Sequence, residues 1–232
     1  MRHIILDTET TGLSPALGHR IIEVAAVEMV NRRLTGNRYH CYLNPEREID
    51  AGAQQVHGIS LEFLQDKPKF AEAAQEFLAF IAGGELVIHN APFDVGFLNH
   101  ELARLNLAPV ATCCEGVIDT LKLAKELHPG QKNNLDALCR RYEVDNSNRT
   151  LHGALLDAEL LAEVYLAMTR GQESLMIEMT PETQSAEMIA SLIPINPLLV
   201  QRASAEELAL HASLLAEIDA ASKGACMWNK LG

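Results

Sequence analysis

Asp7 and Glu9 stand two residues apart in the stretch Ile4-Ile5-Leu6-Asp7-Thr8-Glu9-Thr10-Thr11-Gly12-Leu13. In an extended strand, residues i and i+2 share a face. Two carboxylates held a few ångströms apart repel, and each raises the other's pKa. A cation between them relieves both effects, so the pair suggests metal-ion chemistry. Further along, Asp94 closes Asn90-Ala91-Pro92-Phe93-Asp94, and Asp157 follows His152 in His152-Gly153-Ala154-Leu155-Leu156-Asp157. Taken singly, each has an ordinary reading. An Asp at a helix start is a cap or a dipole partner, and His152 is one of nine histidines in the chain. Taken together, four carboxylates could hold hard divalent cations, and a histidine, whose ordinary pKa lies near neutrality, could accept a proton.

These residues need elements to position them. The apolar run before Asp7 predicts a first strand. A loop rich in Thr, Gly and Pro follows as far as His19. Residues 20–30 are apolar and β-branched, 31–37 supply turn residues, and 38–43 read as a third strand, giving a meander. Residues 71–82 carry helical apolar spacing and stop at Gly83-Gly84. Leu86-Val87-Ile88 reads as a buried strand. Asn90 can cap the next helix, with Pro92 in its first turn. A short strand within 112–120 and helices over 121–127, 135–142 and 154–168 complete an α/β arrangement around a mixed sheet. After Gly171 the character changes. Residues 172–203 have no period, and Ser204-Ala205-Glu206-Glu207 forms a capping box that starts a last helix ending near Gly224. The expected division is a catalytic domain over 1–170 and a tail over 171–232.

With 19 basic and 31 acidic residues the net charge is −12. Such a chain is not built to hold a polyanion by counterion release. If it acts on one, bound metals or a partner must offset the charge. No apolar run is long enough to span a bilayer, and the N-terminal residues lack the h-region of a signal peptide. The five cysteines form no CxxC pair. A reduced, cytoplasmic protein without a membrane partner is expected.

Three motifs, Asp7-x-Glu9-Thr10-Thr11-Gly12-Leu13, His89-Asn90-Ala91-Pro92-Phe93-Asp94 and His152-x4-Asp157, resemble in order and separation those of the DEDD-type 3′→5′ exonuclease superfamily, in the subclass with a histidine base. The resemblance implies a ribonuclease-H-like fold with a five-stranded mixed sheet. It implies Asp7, Glu9, Asp94 and Asp157 as ligands of two Mg²⁺ or Mn²⁺ ions, and His152 as general base. Asp7 would bridge both ions, Glu9 and Asp157 would lie on the nucleophile side, and Asp94 would act through water on the other ion. Beside Asp7, Glu9 and Asp157, the substrate contacts would be Thr10, Gly12, Leu13, His57 and Phe93. On residue type alone Leu13 and Phe93 read equally well as core.

The chain also resembles the proofreading-subunit family of bacterial DNA polymerase III. The resemblance rests on Val56-His57-Gly58-Ile59, the helix from Asp157 to Leu166, the peptide Gln172-Glu173-Ser174-Leu175-Met176 and the ending Gly224-Ala225-Cys226-Met227-Trp228. It implies a DNA 3′ end as substrate, a sliding clamp held by Gln172, Leu175 and Met176, and the polymerase alpha subunit held by the tail. It admits a small third core subunit. The bland reading of Gln172–Met176 is a loop anchored by two apolar residues, and of the tail a segment folded back on its own domain. An exoribonuclease would share all five catalytic residues, and a pure polymerase–clamp tether would need none of them.

Overall fold

In a computed structural model of the chain, residues 1–147, 149, 151–170 and 203–230 are described. They fall into two compact units divided between residues 175 and 176. The first unit is built on β1 (Arg2–Thr10), β2 (Ile21–Val30), β3 (Arg33–Tyr42), β4 (Glu85–Ile88) and β5 (Gly116–Asp119). The sheet order is β3-β2-β1-β4-β5, with β1 antiparallel to β2 and parallel to β4. β1 is therefore central, and Ile4, Ile5 and Leu6 are fully buried.

Strand alternation divides the core in two. Ile4 and Leu6 pack with Phe77, Ile81, Phe97 and Leu98, which come from α3 (Phe70–Ile81) and α4 (Ala91–Arg104). Ile5, Val27, Met29 and Val87 pack with Leu138, Leu161 and Val164 of α6 (Leu135–Tyr142) and α7 (Ala154–Met168) on the other face. Two helical layers thus sandwich the mixed sheet, as expected for this fold class.

The turn expected over 31–37 is shorter. Only Asn31 and Arg32 turn, both with positive φ (49° and 62°), and β3 begins at Arg33. This is a two-residue hairpin connection of the kind whose twist matches the flanking strands. Residues 33–37 are mostly polar and exposed yet lie in a strand, because β3 is the sheet edge and faces solvent. Two short helices join the expected elements, α1 (Ala51–His57) and α2 (Leu61–Leu64). α5 (Thr120–Leu127) lies between β5 and α6.

In the second unit, α8 (Ala205–Ala221) begins with the expected capping box. The Ser204 hydroxyl accepts from Glu207 N–H, and the Glu207 carboxylate accepts from Ser204 N–H. Gly224, with φ 84°, turns the chain back so that its N–H donates to the Asp219 carbonyl. Leu208, Leu210, Leu214 and Ile218 of α8, together with Met227 and Trp228, are exposed. Gln172, Leu175 and Met176 lie outside the described residues.

Candidate active site

Asp7 and Glu9 share the odd-numbered face of β1 with Ile5, so both point toward the layer that holds α7. Thr8 points the other way, and its hydroxyl donates to Asp94 Oδ1 at 2.6 Å. Asp94 sits in the first turn of α4, which starts directly after β4, the parallel neighbour of β1. Asp157 sits in the first turn of α7, its N–H donating to the Gly153 carbonyl. The two helix starts converge on the C-terminal end of β1 from opposite faces of the sheet. Glu9, His152 and Asp157 each bring a ligating atom to within 4.8 Å of the others. Asp7, His152 and Asp157 line one cleft of about 250 Å³, together with His89, Asn134, Leu135, Asp136 and Arg149.

The electrostatics follow from burial and crowding. Burial pushes Asp7 well above the usual carboxylate range, and Asp94, Glu9 and Asp157 push it further. Glu9 rises to about 8, by burial first and then by Asp157, Glu23 and Asp94. Asp94 rises to about 7 by burial, against the opposing Thr8 hydrogen bond. Asp157 goes the other way. Burial alone would raise it, but the hydrogen bonds and the charge of Arg149 hold it below its ordinary value. Crowded buried oxygens with one imidazole form a donor set that fits hard divalent cations.

A second groove of about 150 Å³ adjoins Glu9 and brings the other expected residues together: Thr10, Gly12, Leu13, His57 and Phe93, with Val56. Its floor is a tight loop. The Thr10 hydroxyl donates to the Gly12 carbonyl, and Asp50 N–H donates to the Thr11 carbonyl. Gly12 is required there, since a Cβ would lie 2.3 Å from the His19 ring. Leu13 is 86% exposed, so the core reading is excluded for it. Phe93 packs half-buried against the core, with its ring 5.0 Å from Phe97, while also lining the groove. His57 is buried. Its Nδ1 accepts from Ile59 N–H, which leaves the proton on Nε2, and Nε2 finds no partner among the described residues.

One expectation is corrected. Asn90 holds the N-cap position of α4 but its side chain makes no capping bond. It adopts the left-handed conformation, which Asn tolerates, and its own N–H donates to Asp119 Oδ1 at 3.1 Å. Two charged residues were not anticipated. Arg149 grips Asp157 and reaches His152 Nδ1 at 2.7 Å. Glu23 lies opposite Glu9 across the β1–β2 ladder. Arg149 stands three residues before His152 in a loop without period, and Glu23 is a lone acid in an apolar strand. The three-residue spacing from Arg149 to His152 is the only sequence signal for either.

A profile of the exonuclease family (RNase_T) matches residues 4–165. The chain is 52% identical over 239 residues to the DNA polymerase III subunit epsilon of Escherichia coli K12, covering 98% of this chain and 97% of that protein. It is 51% identical to the same subunit of Pasteurella multocida, covering 99% and 94%. Among solved structures, exonuclease X in complex with 5′-overhanging duplex DNA matches with a TM-score of 0.58 at 27% identity, over 73% of this chain and 92% of that one. The nuclease domain of 3′hExo bound to rAMP, a DEDDh family member, matches in fold with a TM-score of 0.63 at 18% identity, over 74% and 92%. A chain that places these carboxylates and this histidine on that fold, and matches the epsilon subunits over nearly its whole length, belongs to the exonuclease family in the branch of the DNA polymerase III epsilon subunits, and its activity is 3′→5′ exonucleolytic.

Proposed function

We propose that the protein removes mispaired 3′-terminal nucleotides from DNA during replication, with Asp7, Glu9, Asp94 and Asp157 holding two Mg²⁺ or Mn²⁺ ions and His152 acting as general base. The observation that carries this reading is the cluster of Glu9, His152 and Asp157, with Asp7 in the same cleft as His152 and Asp157 and Asp94 bonded to Thr8 of the same strand, beside a groove with an exposed leucine and an orphaned imidazole N–H. Two such ions, held by Asp7, Glu9, Asp94 and Asp157, would supply activation of the attacking water and stabilisation of the leaving oxygen. His152 takes the proton the water loses. Its ring is half exposed, so proton exchange with solvent is direct.

The groove orders the strand end. In this reading Leu13 lies against the last base, and His57 Nε2–H donates to an oxygen of the terminal nucleotide. Thr10 and Gly12 present backbone to it, and Phe93 shapes the wall. Only an unpaired end fits such a groove. A mismatched end frays at lower cost than a matched one, so selection follows from pairing energy rather than from base reading.

Residues 1–170 are the nuclease and 171–232 the tail in this reading. The exposed apolar side chains of α8 with Met227 and Trp228 support a polymerase-docking role, since exposed apolar clusters mark partner surfaces. Gln172, Leu175 and Met176 would take the sliding clamp, and a small third core subunit is compatible with the catalytic unit. The chain would work in the bacterial cytoplasm; no described helix is long and apolar enough to cross a membrane. The test is hydrolysis of a primer–template with a mismatched 3′ end, with and without the polymerase subunit. Faster release of mononucleotides from the mismatched end, in Mg²⁺ and not in EDTA, is expected. Equal rates on matched RNA and DNA single strands would favour an RNA-trimming role.

A further inference from the structure

We propose that Glu23 is a positioning residue that anchors the start of α7 and thereby sets the places of His152 and Asp157. The proposal rests on the nuclease reading of the site. Glu23 is 2% exposed, on β2, and is no member of the four-carboxylate set. Both of its oxygens are committed. Oε1 meets His40 Nε2 on β3 at 2.7 Å, and Oε2 accepts the Ala154 N–H at 3.2 Å.

Ala154 is the first residue of α7, two residues after His152 and three before Asp157. The first N–H groups of a helix have no partner inside it. At this helix Gly153 holds the N-cap position and offers no side chain to supply one. Glu23, 131 residues away in sequence, supplies it from the sheet. Arg149 holds the side chains of His152 and Asp157, and a second backbone tie on this segment runs from His152 N–H to the Val56 carbonyl at 3.1 Å. His152 is thus clamped between α1, which carries the groove, and a buried carboxylate of β2. Glu23 is directly opposite Glu9 in the ladder, so the same strand pair that presents Glu9 also fixes the helix that presents Asp157. A buried carboxylate next to a crowded acidic site is electrostatically costly, and the hydrogen bond to Ala154 is what its place there accomplishes.

The test uses the full chain with Glu23→Ala and Glu23→Gln. Gln keeps an acceptor for Ala154 N–H, and Ala does not. Misplacement by about 1 Å costs up to roughly 100-fold in rate, and loss of a group that orients a metal ligand costs about 10–100-fold in metal affinity. For Glu23→Ala we expect kcat on a single-stranded oligonucleotide to fall at least about tenfold, with KM within about twofold. Mn²⁺ affinity by titration should fall, and amide exchange at Ala154 should quicken. Glu23→Gln should recover most of all three. Should Glu23→Ala not fold, Glu23→Asp carries the test. It keeps the charge but withdraws the oxygens by a methylene, and the same losses are expected. A folded Glu23→Ala with the kcat, Mn²⁺ affinity and Ala154 exchange of the parent overturns the proposal, as does a Gln variant as impaired as Ala. The exchange readout does not depend on nuclease activity, so failure of the anchor is distinguishable from failure of the nuclease reading.

Discussion

Arg149 holds both carboxylate oxygens of Asp157, Nε to Oδ1 at 2.6 Å and Nη2 to Oδ2 at 2.7 Å, with both side chains buried. Such a fork-to-fork pair is the strongest common form of charge-assisted hydrogen bond. The same guanidinium reaches Asp136 at 2.7 Å and donates to His152 Nδ1. Arginine has no acceptor, so this bond occupies the Nδ1 lone pair and leaves the ring proton on Nε2. A divalent ion at Asp157 and a proton at Nδ1 each compete with Arg149 for the same lone pairs.

Arg149→Gln therefore acts on stability and metal affinity in opposite senses. Removing one partner of a buried pair costs roughly 3–5 kcal/mol, so melting in EDTA should move sharply down. Mn²⁺ should bind more tightly than to the parent, and saturating Mn²⁺ should return much of the lost stability. Melting curves with and without Mn²⁺, and a Mn²⁺ titration, check both. Weaker Mn²⁺ binding by the variant would contradict the competition.

The raised carboxylates predict a pH signature. Glu9 titrates at about 8 and Asp94 at about 7 in the fold, by burial first, against about 4 in an unfolded chain. Between those values the folded protein binds more protons than the unfolded one, so in EDTA its stability falls as pH rises from about 4 to 8. Asp157 contributes in the opposite sense. Its stabilisation is present above its ordinary pKa and is lost as pH falls through the lowered folded value. A cation that replaces the protons on Glu9 and Asp94 removes their penalty. The rise in melting temperature on adding Mg²⁺ or Mn²⁺ should be larger at pH 8 than at pH 6. Calorimetry at pH 7 in two buffers of different ionisation heat should show proton release on binding.

Leu13 separates binding from folding. At 86% exposure its removal should leave stability within about 0.5 kcal/mol. If it packs on the terminal base, Leu13→Ala forfeits about 1–2 kcal/mol of apolar burial. That corresponds to a several-fold to roughly thirtyfold rise in KM for single-stranded DNA. Chemical denaturation and steady-state kinetics on one preparation check the two halves together.

The Asp7–Glu9 pair follows from a local rule, while the roles expected of Asp94 and Asp157 rest on the family resemblance. Alternation puts Asp7 and Glu9 on one face, and a strand followed by Asn-x-Pro marks the helix start that carries Asp94. Leu13 was not decidable, because residue type says nothing of exposure. The contacts of Glu23 were hidden because its partner Ala154 is distant in sequence, and strand pairing that brings them together is a property of the whole sheet. The hairpin at Asn31-Arg32 was hidden because Arg is an unusual residue at a positive φ, and the polar edge strand after it imitates a turn.

The most direct test of the central claim is the metal-dependent hydrolysis of a 5′-labelled single-stranded oligonucleotide by the parent and by Asp7→Ala. Asp7 sits at the centre of the sheet's carboxylate cluster, and the raised pKa it carries comes from burial and from the other three acids. The account predicts stepwise 3′→5′ release of mononucleotides by the parent in Mg²⁺ or Mn²⁺. It predicts no measurable release by an Asp7→Ala variant that melts cooperatively and folds as the parent does. A folded Asp7→Ala variant with the parent's rate in Mg²⁺ would contradict it.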